Sequence, residues 1–164
     1  MLSSNFRQYG LTFLPATLAV VLTVRVTSGF MFLFFVPFIA VSVVFSGIAA
    51  VRRPEKRRLA LVRIVVWLVV VPAPVGAAHM YWYRAARTDA DKAVSAVVDF
   101  KKQTGAWPKS LQEAGIDDPN FGRRWMLGYL LNGNRPFIVY TSTFEIFDSY
   151  TYDFDRQRWD FNPD

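Results

Sequence analysis

The chain reads as a membrane protein in which three transmembrane α-helices precede a small α+β domain, a helix plus an antiparallel β-meander. Two observations carry this reading. Three apolar stretches fill residues 11–80, and the dense basic cluster Arg52, Arg53, Lys56, Arg57 and Arg58 lies between the second and the third. From Trp125 onward apolar and polar residues alternate between turn residues, the period of strands rather than of helices. A boundary near residue 80 thus separates a three-helix transmembrane region, 1–80, from a polar domain, 81–164.

The first span runs from about Leu11 to Val26, short for a hydrocarbon core that needs about 20 residues, so it must borrow from its flanks. Pro15 is expected in its first turns, where a missing amide hydrogen bond costs least, and Arg25 marks its outer end. Thr27, Ser28 and Gly29 allow only a tight hairpin before the second span, Phe30 to Val51, in which Pro37 is a site for a kink. The third span, Leu59 to about Met80, contains Pro72 and Pro74, expected to bend or loosen its outer half. It leads into Tyr81, Trp82 and Tyr83, an aromatic cluster suited to anchor the chain in the headgroup layer. Arg7 before an apolar run resembles the opening of a signal peptide. Two more spans follow, however, and no small-residue cleavage site stands out near Arg25 to Phe30, so the segment is expected to be retained.

Loops rich in Lys and Arg stay in the cytoplasm, which makes the turn at 52–58 the topology-determining segment. Alternation then makes the amino terminus cytoplasmic and puts the 25–29 loop and the domain 81–164 on the periplasmic side of a bacterial inner membrane. The overall charge of +6 fits this account. Residues 1–80 carry eight Lys and Arg against Glu55 alone, and residues 81–164 carry eleven against twelve acids. The basic excess therefore belongs to membrane orientation and anionic lipid, and the polar half lacks the basic face that nucleic-acid binding requires. Arg25 and Arg63 are candidate intramembrane contacts, although each is near enough to a helix end to snorkel.

Beyond the aromatic cluster, Ala90, Ala93, Val94, Val97 and Phe100 recur at helical spacing, with Asp91, Lys92, Asp99, Lys101 and Lys102 elsewhere around the wheel. This amphipathic helix is expected to begin near Thr88 or Asp89, good caps, with a continuation from the third span left open, and to stop near Gly105. Ser110 to Glu113 matches a capping box, with Gly115 ending about one helical turn. Trp125 to Leu131 reads as a strand, Asn132 to Asn134 as a turn and Phe137 to Thr141 as the return, with Pro136 at a strand start or an edge. A second hairpin alternates Tyr150, Tyr152 and Phe154 with polar residues, turns near Arg156 and Gln157, and resumes with Trp159 and Phe161. With no cysteine, this half must rest on its own aromatic core.

Phe100, Gly105, Trp107, Pro108, Ser110 and Leu111 form an aromatic, Gly, aromatic-Pro, Ser-Leu run, and Tyr152 to Phe154 is followed by Trp159. In this order the carboxyl-terminal half resembles the globular domain of type IV pilins and type II secretion pseudopilins. The resemblance implies a helix that stops, a chain reversal, a short restarted helix and a meander. A pilin also has a single amino-terminal helix that follows a Gly-Phe processing site and carries a Glu soon after the Phe. Here Gly29 and Phe30 are followed by Met31, Phe32, Leu33 and Phe34, and the domain hangs from a third span. The better description is a pilin-like head on an unrelated three-span anchor, not a filament subunit.

Reactive constellations are scarce. Asp153 and Asp155 share a strand face in this reading, the arrangement that acid/base work or calcium binding would need, but they are expected to be a solvated face opposite the aromatic core. His79 is the only histidine and has no spaced acids around it. No phosphate-cradling loop, metal site or cofactor motif stands out, and the chain is not expected to be an enzyme. The partners expected are the lipid bilayer and another protein. An immunity protein that neutralises a toxin acting at the membrane or in the periplasm fits this architecture, and the alternative is an accessory pilin-like subunit of a secretion or pilus machine.

The orientation is testable by labelling. A cysteine at Ser142 should react with a membrane-impermeant thiol reagent in intact spheroplasts and one at Pro54 should not; the reverse pattern would invert the topology.

Overall fold

The computed structural model describes the backbone of residues 2–163 and the side chains of residues 12–163. It divides into two compact units, Met1–Met80 and Tyr81–Asp164. Arg7 lies outside the described side chains.

In the first unit, helix α1 (Leu2–Thr23) turns through Val24–Ser28 into a 3-10 turn and helix α2 (Phe32–Arg52). A second 3-10 turn, Pro54–Lys56, leads to α3 (Arg57–Val65), a π-helical segment at Val66–Val70, and α4 (Pro72–Thr104). The expectation of three spans is met only in part. Two helical stretches among the described residues, Gly29–Arg52 and Pro54–Thr104, are long and apolar enough to cross a membrane. In the first helix the described apolar stretch is Thr12–Thr23, which at about 1.5 Å per residue rises only about 18 Å. The residues before it include Ser3, Ser4, Asn5, Arg7 and Gln8. The helix nonetheless begins at Leu2, so Pro15 falls in its interior and not in its first turns. It ends at Thr23, before the expected Val26, and Thr27 adopts φ 63 in the hairpin.

The loosening expected around Pro72 is built into the helix as a wide turn. The Val71 N–H reaches the Val66 carbonyl, five residues back, at 2.9 Å. A proline ring crowds the carbonyl four residues before it, and the π-bulge immediately ahead of Pro72 relieves that crowding. Ala16 and Ala19 let α1 approach closely, and with Ile39, Val66, Trp67 and Val71 they form the buried core of this unit. Many other apolar side chains point outward: Leu14 is 76% exposed, Phe34 75% and Val51 83%.

In the second unit the helix is longer than its apolar period suggested. Thr88 and Asp89 do not cap it; Thr88 Oγ1 donates to the Arg84 carbonyl within a continuous α4. The helix ends as expected at Gly105, with φ 77 and its N–H on the Lys101 carbonyl at 2.9 Å. The segment that follows closes as one hydrogen-bonded turn instead of an α-helix. Glu113 N–H donates to Ser110 Oγ at 3.1 Å, but the Glu113 carboxylate accepts from the Lys109 N–H, one residue earlier than a reciprocal box requires. Gly115 (φ 91) ends this turn, with Ile116 N–H on the Leu111 carbonyl at 2.9 Å.

The sheet is a meander in the order β1-β2-β3-β4, with β1 Gly128–Asn132, β2 Arg135–Thr141, β3 Ser149–Asp153 and β4 Arg158–Asn162, all antiparallel. Trp125 lies in a 3-10 turn before β1 and not in the strand, because Gly122 and Met126 both take left-handed conformations that break the extended chain. Pro136 is the second residue of β2, ahead of the stretch that pairs with β3 from Ile138 onward. The register puts Tyr129, Ile138, Tyr152 and Trp159 in one row and Tyr140, Tyr150 and Phe161 in the next. This face packs on Ala93 and Val97 of α4 and is sealed by Trp107, Leu111, Phe121 and Phe154.

Two tryptophans lock helix to sheet. The Trp125 indole N–H donates to Asp89 and the Trp159 indole N–H to Asp91, both at 2.8 Å. Asp91 is also paired with Arg87 at 3.2 Å, and the Arg87 guanidinium stacks 4.9 Å over the Trp159 ring. Tyr140, fully buried between Tyr150 and Trp159, has a hydroxyl without a hydrogen bond of ordinary geometry. Burial pushes that hydroxyl up to about 12, with the nearby Arg87 charge pulling the other way.

Two outcomes follow. A Cβ at Gly105 would meet nothing within 4 Å, so Gly105→Val should cost the strain of a left-handed β-branched residue alone, about 1–2 kcal/mol, in denaturant unfolding of a Tyr81–Asp164 fragment. Because Tyr140 holds its proton to a higher pH folded than unfolded, its contribution is present below pH ~10 and lost as pH rises toward 12. In Tyr140→Phe the alkaline fall in unfolding midpoint should be shallower than in the unaltered fragment.

Candidate functional site

The meander has a second face. Register and alternation put Leu130, Phe137 and Val139 on the side of the sheet opposite Ile138 and Tyr140, with Thr151, Asp153, Arg158 and Asp160 on the neighbouring strands. Leu130 stands directly across from Phe137, and the two are 65% and 39% exposed. Charged residues share this face, with Arg135 at the β1–β2 turn and, on the far edge strand β4, Asp160 paired to Arg158 at 3.0 Å. Leu130 and Phe137 are thus an exposed apolar pair on a sheet whose other face is buried.

A cleft of about 350 Å³ opens at the end of the sheet formed by its two hairpin turns. Phe137, Trp107 and Phe154 supply its apolar walls, and Asp153, Asp155 and Asp160 its acids. The expectation that Asp153 and Asp155 share one strand face is corrected by the turn chemistry. Asp153 ends β3, whereas Asp155 lies in the four-residue loop Phe154–Gln157, which closes with Gln157 at φ 53. Asp153 Oδ1 accepts the N–H groups of Asp155 at 2.8 Å and Arg156 at 2.9 Å, the bonds that build the turn. The Arg156 amide bond is the main reason its carboxyl lies below the ordinary range. Among the described residues no group of three or more His, Asp and Glu could hold a metal ion.

The other residues singled out by sequence do not line this cleft. Arg52 closes α2, Arg53 and Lys56 flank or lie in the 3-10 turn, and Arg57 and Arg58 open α3, all exposed. Tyr81 is exposed, but Trp82 and Tyr83 make contacts within the second unit: Trp82 with Trp125 and the Arg124 guanidinium, Tyr83 with Tyr150. Arg25 is exposed in the hairpin, while Arg63 donates from Nε to the buried Thr12 hydroxyl at 3.1 Å. His79, likewise buried, sits 2.7 Å from the Thr23 carbonyl at the end of α1.

Sequence reasoning missed Leu130 and Phe137 as a surface pair and Asp89 and Asp91 as indole acceptors. Alternation shows that two faces exist; only the register across strands shows which apolar residues stand together. Compared with protein-family models, curated proteins and solved structures, the chain matches none of them.

Proposed function

We propose that this protein is a three-span inner-membrane protein whose head binds another protein, and that it acts as an immunity protein against a toxin working at the membrane or in the periplasm. The observation that carries the binding reading is the exposed Leu130–Phe137 pair, which shares its face with charged residues, on a sheet whose opposite face is locked to a helix. The membrane reading draws support from the outward-facing apolar side chains of α1 and α2, which water would not favour and hydrocarbon would. For the first helix, α1 has 22 residues, and its polar opening would lie in the interfacial layer. The exposed basic turn would then hold the 52–58 segment in the cytoplasm and the head in the periplasm.

A specific observation favours a second reading, an accessory pilin-like subunit of a secretion or pilus machine. The long α4 stops at Gly105, the chain reverses through Pro108, whose carbonyl accepts the Tyr129 hydroxyl at 2.6 Å, and a meander follows. This is the order of elements that the pilin resemblance implies, except that a single hydrogen-bonded turn stands in place of the short restarted helix.

The test uses the full chain in its native membrane with a photo-crosslinking residue at Leu130 or Phe137. Both should capture one discrete protein, and Leu130→Asp should reduce co-purification of that protein at least tenfold without changing the unfolding midpoint of the head, the loss expected when a central apolar contact carries about 1.4 kcal/mol or more. A captured toxin supports the first reading and a secretion component the second. Failure of both probes to capture any protein would contradict binding through this face.

A further inference from the structure

Between α2 and the α3 to α4 segment of the first unit lies a cleft of about 360 Å³. Its lining residues on α2, including Phe38, Ser42, Phe45, Ser46 and Ala49, recur on one helical face, and Lys56, Leu59, Ala60, Arg63 and Trp67 recur on the facing element. The small residues leave the space. Phe38 meets Trp67 edge-on at 5.2 Å, giving an aromatic wall at one end. Val41 and Phe45, 55% and 69% exposed, open the cleft sideways toward the surroundings of the helices.

The polar end is cationic. Arg63 and Lys56 both line the cleft, and no Asp or Glu does. Thr12 takes one donor of the Arg63 guanidinium, no ion pair to Arg63 or Lys56 occurs among the described residues, and a guanidinium has five N–H donors. A half-buried Arg63 and an exposed Lys56 beside an apolar slot suit a ligand with an anionic head and a hydrocarbon chain. The sideways opening at Val41 and Phe45 favours entry from within a bilayer over entry from water.

We propose that this cleft binds one anionic phospholipid, its phosphate held by Arg63 and Lys56 and one acyl chain laid along Phe38, Phe45, Leu59 and Trp67. The proposal rests on the membrane reading above. It is independent of the head's partner and adds a lipid ligand to the basic end of the bundle.

The test is native mass spectrometry of the full chain extracted in detergent and supplied with phosphatidylglycerol, phosphatidylcholine or inorganic phosphate. One phosphatidylglycerol should be retained at least tenfold better than phosphatidylcholine, and the combined Lys56→Gln and Arg63→Gln variant should lose that preference, as removal of two basic contacts implies. Ser42→Phe, which fills the slot and keeps both cations, should also weaken retention, while Arg57→Gln with Arg58→Gln should leave the first bound lipid unchanged. Unaltered helical circular dichroism in each variant excludes misfolding as the cause.

Equal retention of the two lipids, or equal loss in the Arg57 and Arg58 variant, would overturn a specific site in favour of diffuse attraction. Displacement of the lipid by millimolar inorganic phosphate would overturn the role of the acyl chain. A protein helix that co-purifies and occupies the cleft in place of lipid would also overturn the proposal. If the chain stays in the aqueous fraction without detergent, the membrane reading itself fails, an outcome separable from failure of the lipid site.

Discussion

The carboxyl-terminal unit depends on how its sheet is held against one helix. Asp89 and Asp91 flank Ala90, so on an α-helix they project to either side of the buried stripe that Ala86, Ala90, Ala93 and Val97 form. Trp125, just ahead of edge strand β1, reaches Asp89, and Trp159 on the opposite edge strand β4 reaches Asp91. The stripe thus lies along the sheet with an indole–carboxylate bond at each margin. Charge-assisted bonds of this kind are among the stronger ones, and at the half-buried Trp125–Asp89 pair an indole N–H left without its acceptor would carry a desolvation cost, whereas the Trp159–Asp91 bond is exposed. The alanines matter as much as the acids, because only small side chains let Ile138 and Tyr140 close on the helix backbone.

A related economy of polar contacts orders the amino-terminal unit. Dispersion between apolar helices is indifferent to register, whereas a buried hydroxyl or imidazole has few acceptable partners. Thr12 with Arg63 and Thr23 with His79 tie α1, near the two ends of its described part, to the helical segment that begins at α3. Thr23 also donates its hydroxyl to the Ala19 carbonyl at 2.6 Å, and its own carbonyl, at the end of α1 where no following turn among the described residues supplies a donor, faces the imidazole. The small residues Ala16 and Ala19 lie between these two ties.

Local chemistry was legible in the sequence. Gly105 and Gly115 occupy the left-handed positions their places after helical segments demanded, and Gly133, at φ 61, makes the two-residue loop between Asn132 and Arg135. The alternation of Tyr150, Tyr152, Trp159 and Phe161 was enough to give β3, β4 and their common face. What stayed hidden was long-range pairing. Asp91 reads as a solvated residue on a helical wheel because the wheel does not contain Trp159, 68 residues away. Thr88 and Asp89 read as caps because a helix interior and a helix start offer such residues different partners, and only the preceding residues' continuation decides between them. Pro15 misled in the same way, since its cost depends on where a helix begins. In the candidate site, the pairing of Leu130 with Phe137 needed the cross-strand register, and the turn role of Asp153 needed the positions of the Asp155 and Arg156 backbone amides.

The central claim is that indole–carboxylate bonds, beyond apolar burial, fix the sheet on its helix. The most direct measurement is a double-mutant cycle between Asp89 and Trp125 in the Tyr81–Asp164 fragment, with Asp89→Ala, Trp125→Phe and the pair compared by denaturant unfolding. The account predicts a coupling of about 1.5–3 kcal/mol, the range for a hydrogen bond to a charged group. Effects that add to within about 0.5 kcal/mol would contradict it.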